Sequence, residues 1–213
     1  MRTYVRSHSL LALLVMLVTF GTAEPASATE KLSYNYGSAV YFQSDDLEGI
    51  SVMTSGQAQK NVRLMFDYRY TDVDNGVTGF DLTSQAVFAG AGYMFRQLDK
   101  ADFIVDVGAY FANLELEADG VDFENKDGGA FIGLRARILA AQRFEVEPYV
   151  RYSNSLERGA DSTVFDFGVE GRYYITRRVA VHATIEDSDF YGETMYGFGV
   201  RFGQQYDRFN FND

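Results

Sequence analysis

The chain has 213 residues, no cysteine, no tryptophan and two prolines, with a formal net charge of -11. Without cysteine there are no disulfides, no thiol catalysis and no cysteine-based zinc site. The acidic balance argues against nucleic acid as a partner, because phosphate binding needs a positive surface.

Residues 1–28 read as a secretory signal peptide. Arg2 and Arg6 precede an apolar run from Leu10 to Phe20, and Ala26-Ser27-Ala28 supplies an A-x-A site with cleavage before Thr29. The run of about 11 apolar residues is too short for a membrane helix, which needs roughly 20. No cysteine follows it, so no lipoprotein anchor is expected. Removing Arg2, Arg6 and Glu24 leaves 17 basic and 29 acidic residues in the exported part, a formal charge of -12. The remaining length, about 185 residues, suits one domain with a sizeable core.

Beyond the signal, abundant Tyr (15) and Phe (18) coexist with a mean hydropathy of -0.18. No second apolar run approaches helix-spanning length. Instead, one pattern repeats. Val62, Leu64, Phe66, Tyr68 and Tyr70 alternate with Arg63, Met65, Asp67, Arg69 and Thr71. Ala130, Ile132, Leu134, Ala136 and Ile138 alternate with Phe131, Gly133, Arg135 and Arg137. Phe144, Val146, Val150 and Tyr152 alternate with Glu145, Glu147, Tyr149, Arg151 and Ser153. Val179, Val181, Ala183 and Ile185 alternate with Ala180, His182, Thr184 and Glu186. A period of two marks strands with two unlike faces.

Ten strands are expected, over 31–43, 47–58, 62–71, 81–95, 102–116, 129–139, 144–154, 163–175, 179–187 and 194–202; eight is the alternative. Pro148 falls inside one of them and predicts a bulge or local distortion, since proline cannot donate to a ladder. The connections at 59–61, 96–101, 140–143 and 176–178 are short and basic, carrying Lys60, Arg96, Lys100, Arg143, Arg177 and Arg178. Those at 71–80, 117–128, 155–162 and 188–193 are longer and, with the short 44–46 link, acidic: Asp45, Asp46, Asp72, Asp74, Glu117, Asp119, Asp122, Glu124, Asp161, Asp189 and Glu193. Short turns at one end and longer loops at the other describe an up-and-down barrel threaded from the periplasm.

The polar face carries Arg63, Asp67, Arg69, Asp102, Asp106, Arg135, Arg137, Glu145, Glu147, Arg151, Asp166, Glu170, Arg172, Glu186 and Arg201. Periodicity alone allows either face to point inward. Export, the sorting of charge by strand end, and aromatics near strand ends favour apolar side chains facing lipid. Those aromatics are Tyr34, Tyr68, Tyr70, Tyr93, Phe95, Phe103, Phe144, Tyr152, Tyr173, Phe198 and Phe202. The fold expected is therefore all-β: a closed antiparallel up-and-down transmembrane β-barrel over 29–202, followed by a tail at 203–213. A secreted lipocalin-like barrel is the competing reading.

The closing segment Tyr196-Gly197-Phe198-Gly199-Val200-Arg201-Phe202 resembles the C-terminal signal of small Gram-negative outer-membrane β-barrels, the group of the OmpA transmembrane domain, OmpX and the opacity-like proteins. The resemblance covers nearly all of 29–202. It implies an outer-membrane location and contact with outer-membrane lipids and lipopolysaccharide. It also implies delivery to the barrel-assembly machinery through the C-terminal strand. The role it implies is envelope integrity, adhesion or host contact through acidic extracellular loops. Members of that group usually end at this strand, whereas this chain has a second candidate end at Phe209-x-Phe211.

No catalytic, cofactor or metal site is assigned. His182 is the only histidine after the signal peptide and lies on the polar face, and there is no G-x-S-x-G motif. A lumen histidine hydrogen-bonded to neighbouring charges is expected rather than a lipid hydrolase. Asp72-Val73-Asp74-Asn75-Gly76 misses calcium-loop spacing by one residue. The acidic rim could share Mg²⁺ or Ca²⁺ with lipopolysaccharide phosphates. The charged face is expected to fill the lumen as an ion-paired plug, with a narrow porin as the alternative and a lipid-acting enzyme behind both.

Overall fold

The computed structural model describes residues 34–73, 80–98, 100–118, 121–141, 143–155 and 163–203. The signal segment, the tail from 204, the 74–79 part of the calcium-like sequence and the 156–162 connection lie outside the described residues. Ten strands form: β1 (Tyr36–Gln43), β2 (Leu47–Gln59), β3 (Val62–Val73), β4 (Phe80–Gln97), β5 (Ala101–Ala118), β6 (Val121–Ala141), β7 (Phe144–Ser155), β8 (Thr163–Tyr174), β9 (Val179–Ser188) and β10 (Glu193–Gly203). Each pairs antiparallel with its chain neighbour, and β1 pairs with β10 from Tyr36↔Gly203 to Gln43↔Tyr196, closing the barrel. Closure leaves no sheet edge, which a sheet surrounded by lipid requires.

Both described ends of the chain lie at one rim, because Tyr36 faces Gly203. The 60–61, 98–100, 142–143 and 175–178 turns share this terminal rim. All three register shifts occur toward it, at Gln57/Gln59, Met94/Arg96 and Leu139/Ala141. The turns there are stitched to the next strand: Met94 N donates to Asn61 O, Leu139 N to Lys100 O, Tyr174 N to Arg143 O and Gly203 N to Arg178 O.

The opposite rim departs from expectation. The 117–128 stretch, read from sequence as a loop, is mostly strand. β5 and β6 run to 18 and 21 residues and pair as far as Ala118↔Val121. The acidic residues Glu117, Asp122 and Glu124 carry too little apolar period to announce a strand. Cross-strand pairing such as Glu115↔Glu124, with Lys126 Nζ 2.9 Å from Glu124, extends the ribbon. The last turn closes over Gly192, whose φ of 71° is the left-handed conformation glycine adopts without strain.

Pro148 distorts the ladder less than a bulge would. It pairs opposite Val169 on the β8 side. On the β6 side pairing stops at Arg135↔Tyr149 and resumes at Ile138↔Val146 in the same register. The missing N–H is met by a gap in the ladder, not by an inserted residue.

The two faces are now fixed. Exposed outward are Leu64, Val107, Ile132, Leu134, Val150, Val169, Ile185 and Phe198 along mid-barrel. Tyr93, Phe95, Phe144, Tyr173 and Phe202 are exposed toward the terminal rim, and Tyr41, Phe111, Tyr152, Phe165 and Tyr196 toward the other. Every charged residue assigned to the polar face points into the lumen. An apolar band between two aromatic girdles around a charged interior is the profile of a transmembrane barrel, not of a lipocalin-like one. Tyr34 is the exception among the girdle aromatics. It is 1% exposed and its hydroxyl donates to Asp102 Oδ2 at 2.7 Å inside the barrel.

Val169 sits at mid-strand on the outward face and is 47% exposed. Val169→Arg is therefore expected to lower stability in lipid vesicles by about 2–4 kcal/mol. Urea unfolding followed by gel mobility measures it; an unchanged midpoint would mean the facing is inverted.

Candidate functional site

The lumen gathers the charged side chains of seven strands, β3 and β5 to β10, into two tiers. Near the terminal rim, Arg172 on β8 is the centre. Its Nε is 2.6 Å from Glu170 Oε1, and its Nη1 is 2.8 Å from Glu147 Oε2 and 3.4 Å from Glu145 Oε2. Glu145 also accepts from Arg137 and from the Tyr174 hydroxyl at 2.8 Å. Glu147 accepts from Arg135 Nη1 at 2.6 Å, and Arg135 Nε donates to Asp106 at 2.5 Å. Arg63 closes the run, its Nη2 forking onto both Asp106 oxygens at 2.9 Å. Arg201 reaches Glu170 at 3.3 Å and stacks its guanidinium 3.7 Å from the Tyr36 ring.

The second tier lies toward the opposite rim. Arg69 pairs with Glu186 at 2.5 Å and Asp67 at 3.1 Å. Ser51 donates to Asp67, and the Tyr149 hydroxyl donates to Glu186. Arg151 pairs with Asp166 at 2.7 Å, and Ser188 donates to the same carboxylate. Between the tiers is a cavity of about 70 Å³, lined by Asp106, Arg135 and His182 below and by Arg69, Arg151 and Glu186 above. Its charged lining and size suit a few ordered waters.

Apolar layers flank the charges. Toward the opposite rim, Phe88, Tyr110, Phe131, Ala86, Ala112 and Met65 form a buried cluster with Phe190 against it, and Arg151 lies 4.1 Å from the Phe88 ring. Phe42, Leu47 and Met195 pack beside them with Val73 and Tyr191. Burial pushes the Tyr191 phenol up to about 12, so it stays neutral there. At the terminal end, Tyr34, Met94 and Ile104 form one small cluster, and Tyr174, Ala180 and Leu139 another. The lumen is a filled core in which ions occupy the middle.

Strand alternation made most of these residues visible in sequence. It did not show who pairs with whom. Register does: Arg63 on β3 reaches Asp106 on β5 across Gly92 of β4. A Cβ at Gly92 would stand 2.3 Å from Asp106 Oδ1 and 2.7 Å from Arg63 Nε. The glycine is thus part of the ion network, and with Gly90 two residues away in the same strand it had little to single it out in the sequence. The phenols of Tyr34, Tyr149 and Tyr174 were hidden for another reason: tyrosine suits either face.

His182 lies in the lumen, 3% exposed, with Nδ1 2.6 Å from Glu170 Oε1. That is the lumen position expected of it. Among the described residues no group of His, Asp and Glu has the geometry of a metal centre. At the opposite rim Asp45, Asp46, Glu48, Asp72, Glu117, Glu124 and Asp189 are exposed. The hydrogen bond from Lys126 holds the Glu124 carboxyl below its ordinary value.

No family model matches this chain, and no curated protein matches it. Solved structures do. The N-terminal β-barrel domain of Pseudomonas aeruginosa OprF is similar at 16% identity and TM-score 0.42, over 81% of this chain and 98% of that one. Ail, the attachment invasion locus protein of Yersinia pestis, is similar at 14% and 0.44, over 80% and 97%. Neisserial surface protein A is similar at 14% and 0.44, over 82% and 99%. The barrel class itself rests on this chain's own strand pairing.

Two substitutions separate the roles in the network. Arg172→Met leaves three carboxylates without their shared cation and is expected to cost about 3–5 kcal/mol. Gly92→Ala pushes apart only Arg63 and Asp106 and should cost about 1–3 kcal/mol, the range for a disturbed buried polar contact. Paired unfolding curves in one detergent check the order; equal losses would mean that Arg172 is not the centre.

Proposed function

We propose that the chain is a non-enzymatic outer-membrane β-barrel of Gram-negative bacteria, with a structural or surface-interaction role. The export segment, the closed barrel and the aromatic closing strand all support it. One observation carries the non-conducting, non-enzymatic form of this reading: the interior is filled with mutually paired charges while the apolar side chains face out. The periplasm holds the terminal rim, and the acidic opposite rim with its β5–β6 ribbon faces the outside. There it meets lipopolysaccharide, sharing divalent cations with its phosphates, or an external partner. The closing strand is what the barrel-assembly machinery reads.

The narrow porin remains the second reading, favoured by the cavity of about 70 Å³ between the tiers. A lipid-acting enzyme has less support, because His182 points inward and away from lipid. Planar-bilayer recording with the purified barrel is expected to give no steady unit conductance. Reproducible channels abolished by a bulky substitution at Gly133 would favour the porin. A change in lipid A mass on expression would favour the enzyme. Orientation is checked separately: protease on intact cells should cut at the end of the β5–β6 ribbon and spare Arg177-Arg178. A surface-accessible tag after Asp213 would reverse the assignment of rims.

A further inference from the structure

The terminal rim has a chemistry that the lumen and the acidic rim do not use. Each of its four turns bears cations: Lys60, then Arg96 and Lys100, then Arg143, then Arg177 and Arg178. Lys60, Arg96, Lys100 and Arg178 are exposed. Among the described residues, the acids nearest this rim, Asp102, Glu145 and Glu147, are buried in the lumen. Among the described residues, the exposed charges there are all cations.

Two further features tell what this ring meets. The first is depth. Each cluster has an outward aromatic or aliphatic side chain nearby: Leu64 four residues after Lys60, Phe95 beside Arg96, Phe144 beside Arg143, and Tyr173 and Ile175 before Arg177. Interfacial aromatics sit at headgroup level, and at three of the four turns a cation lies within four residues of one along the chain. That places them level with lipid phosphates. The second is order. The carbonyls of Lys100, Arg143 and Arg178 each accept a backbone hydrogen bond from the neighbouring strand, at 2.7, 2.9 and 3.0 Å. The turns are tied down, so the cations project from fixed points.

We propose that the terminal rim is a binding surface for anionic glycerophospholipid headgroups, with Lys60, Arg96, Lys100 and Arg178 as its principal contacts. This rests on the membrane-barrel reading above. The cations are spread around the perimeter beside lipid-facing rings, not gathered in a central patch. That distribution suits many small headgroups better than one large polyanion such as the cell-wall polymer. The ring holds the barrel at its depth in the leaflet that carries phosphatidylglycerol-type lipids, while the acidic rim disfavours them at the other surface.

The test uses protein extracted from membranes in zwitterionic detergent and mixed with equal amounts of phosphatidylglycerol and phosphatidylcholine. Native mass spectrometry then counts retained lipids. The protein is expected to retain phosphatidylglycerol about tenfold or more over phosphatidylcholine, given the attraction of each cation near an anionic surface. The combined variant K60Q/R96Q/K100Q/R178Q should fall to about twofold or less, and about 0.5 M salt should do the same. Equal retention by the natural protein, or an undiminished preference in the variant, overturns the proposal. So does loss of the preference to competing inorganic phosphate, which would mark a general anion site, or selective binding of cell-wall fragments instead. Heat-modifiable mobility of both proteins is checked first. If neither shows it, the membrane-barrel reading has failed and takes this proposal with it; if both do, the lipid counts judge the rim alone.

Discussion

Charges cannot remain alone in a space without bulk water, and the architecture follows from this. Arg172 is fully buried and shares its guanidinium among three carboxylates from two strands. Each of those carboxylates is held by a further donor: Arg137 and Tyr174 on Glu145, Arg135 on Glu147, Arg201 on Glu170. Such a network adds little net stability, because desolvation offsets most of the attraction, yet removing one member is costly. It therefore acts more on specificity than on strength. A strand slipped by one residue would turn its charges out into lipid and its valines into the ion tiers, so the network penalises every wrong register.

The inverted distribution of polarity was legible because its period is the period of the strand. Val62 to Thr71 and Phe144 to Ser153 separate two faces without any structure, the rim charges and end aromatics turn the apolar one outward, and the structure keeps that assignment. What resisted reading had physical reasons. The β5–β6 ribbon beyond Gly128 stands outside the apolar band, so nothing requires its residues to alternate, and its acids resembled a solvated loop. Tyr34 looked like a girdle residue because a tyrosine near a strand end suits both a headgroup and a buried carboxylate; only Asp102 decides between them. Pro148 signalled a bulge or a local distortion, and only the structure chooses the second, because a barrel strand can forgo ladder bonds on one side when the other side holds it in register. Gly92 carried the least signal in the sequence, since its role is to supply empty space.

Charge is sorted twice in this molecule. Inside, opposite signs are mixed and cancel. Outside, among the described residues, they are separated, mainly basic at the rim that holds Tyr36 and Gly203, mainly acidic at the rim with the ribbon. The interior sorting serves folding. The exterior sorting leaves the barrel with two rims of unlike charge. The ribbon then projects from the acidic side as the part of the fold least constrained by either lumen or lipid.

The pairing of β1 with β10 has a temporal meaning. Tyr36 meets Gly203, so the contact that closes the ring joins the earliest and latest strands of the described chain. Contacts so distant in sequence form slowly, because the whole intervening chain must first be gathered. Until the final strand arrives, every partial barrel carries two open edges that lipid cannot satisfy. The fold therefore has no useful half-built form. Its conversion to a barrel is one cooperative event whose timing is set by the arrival of β10 at β1.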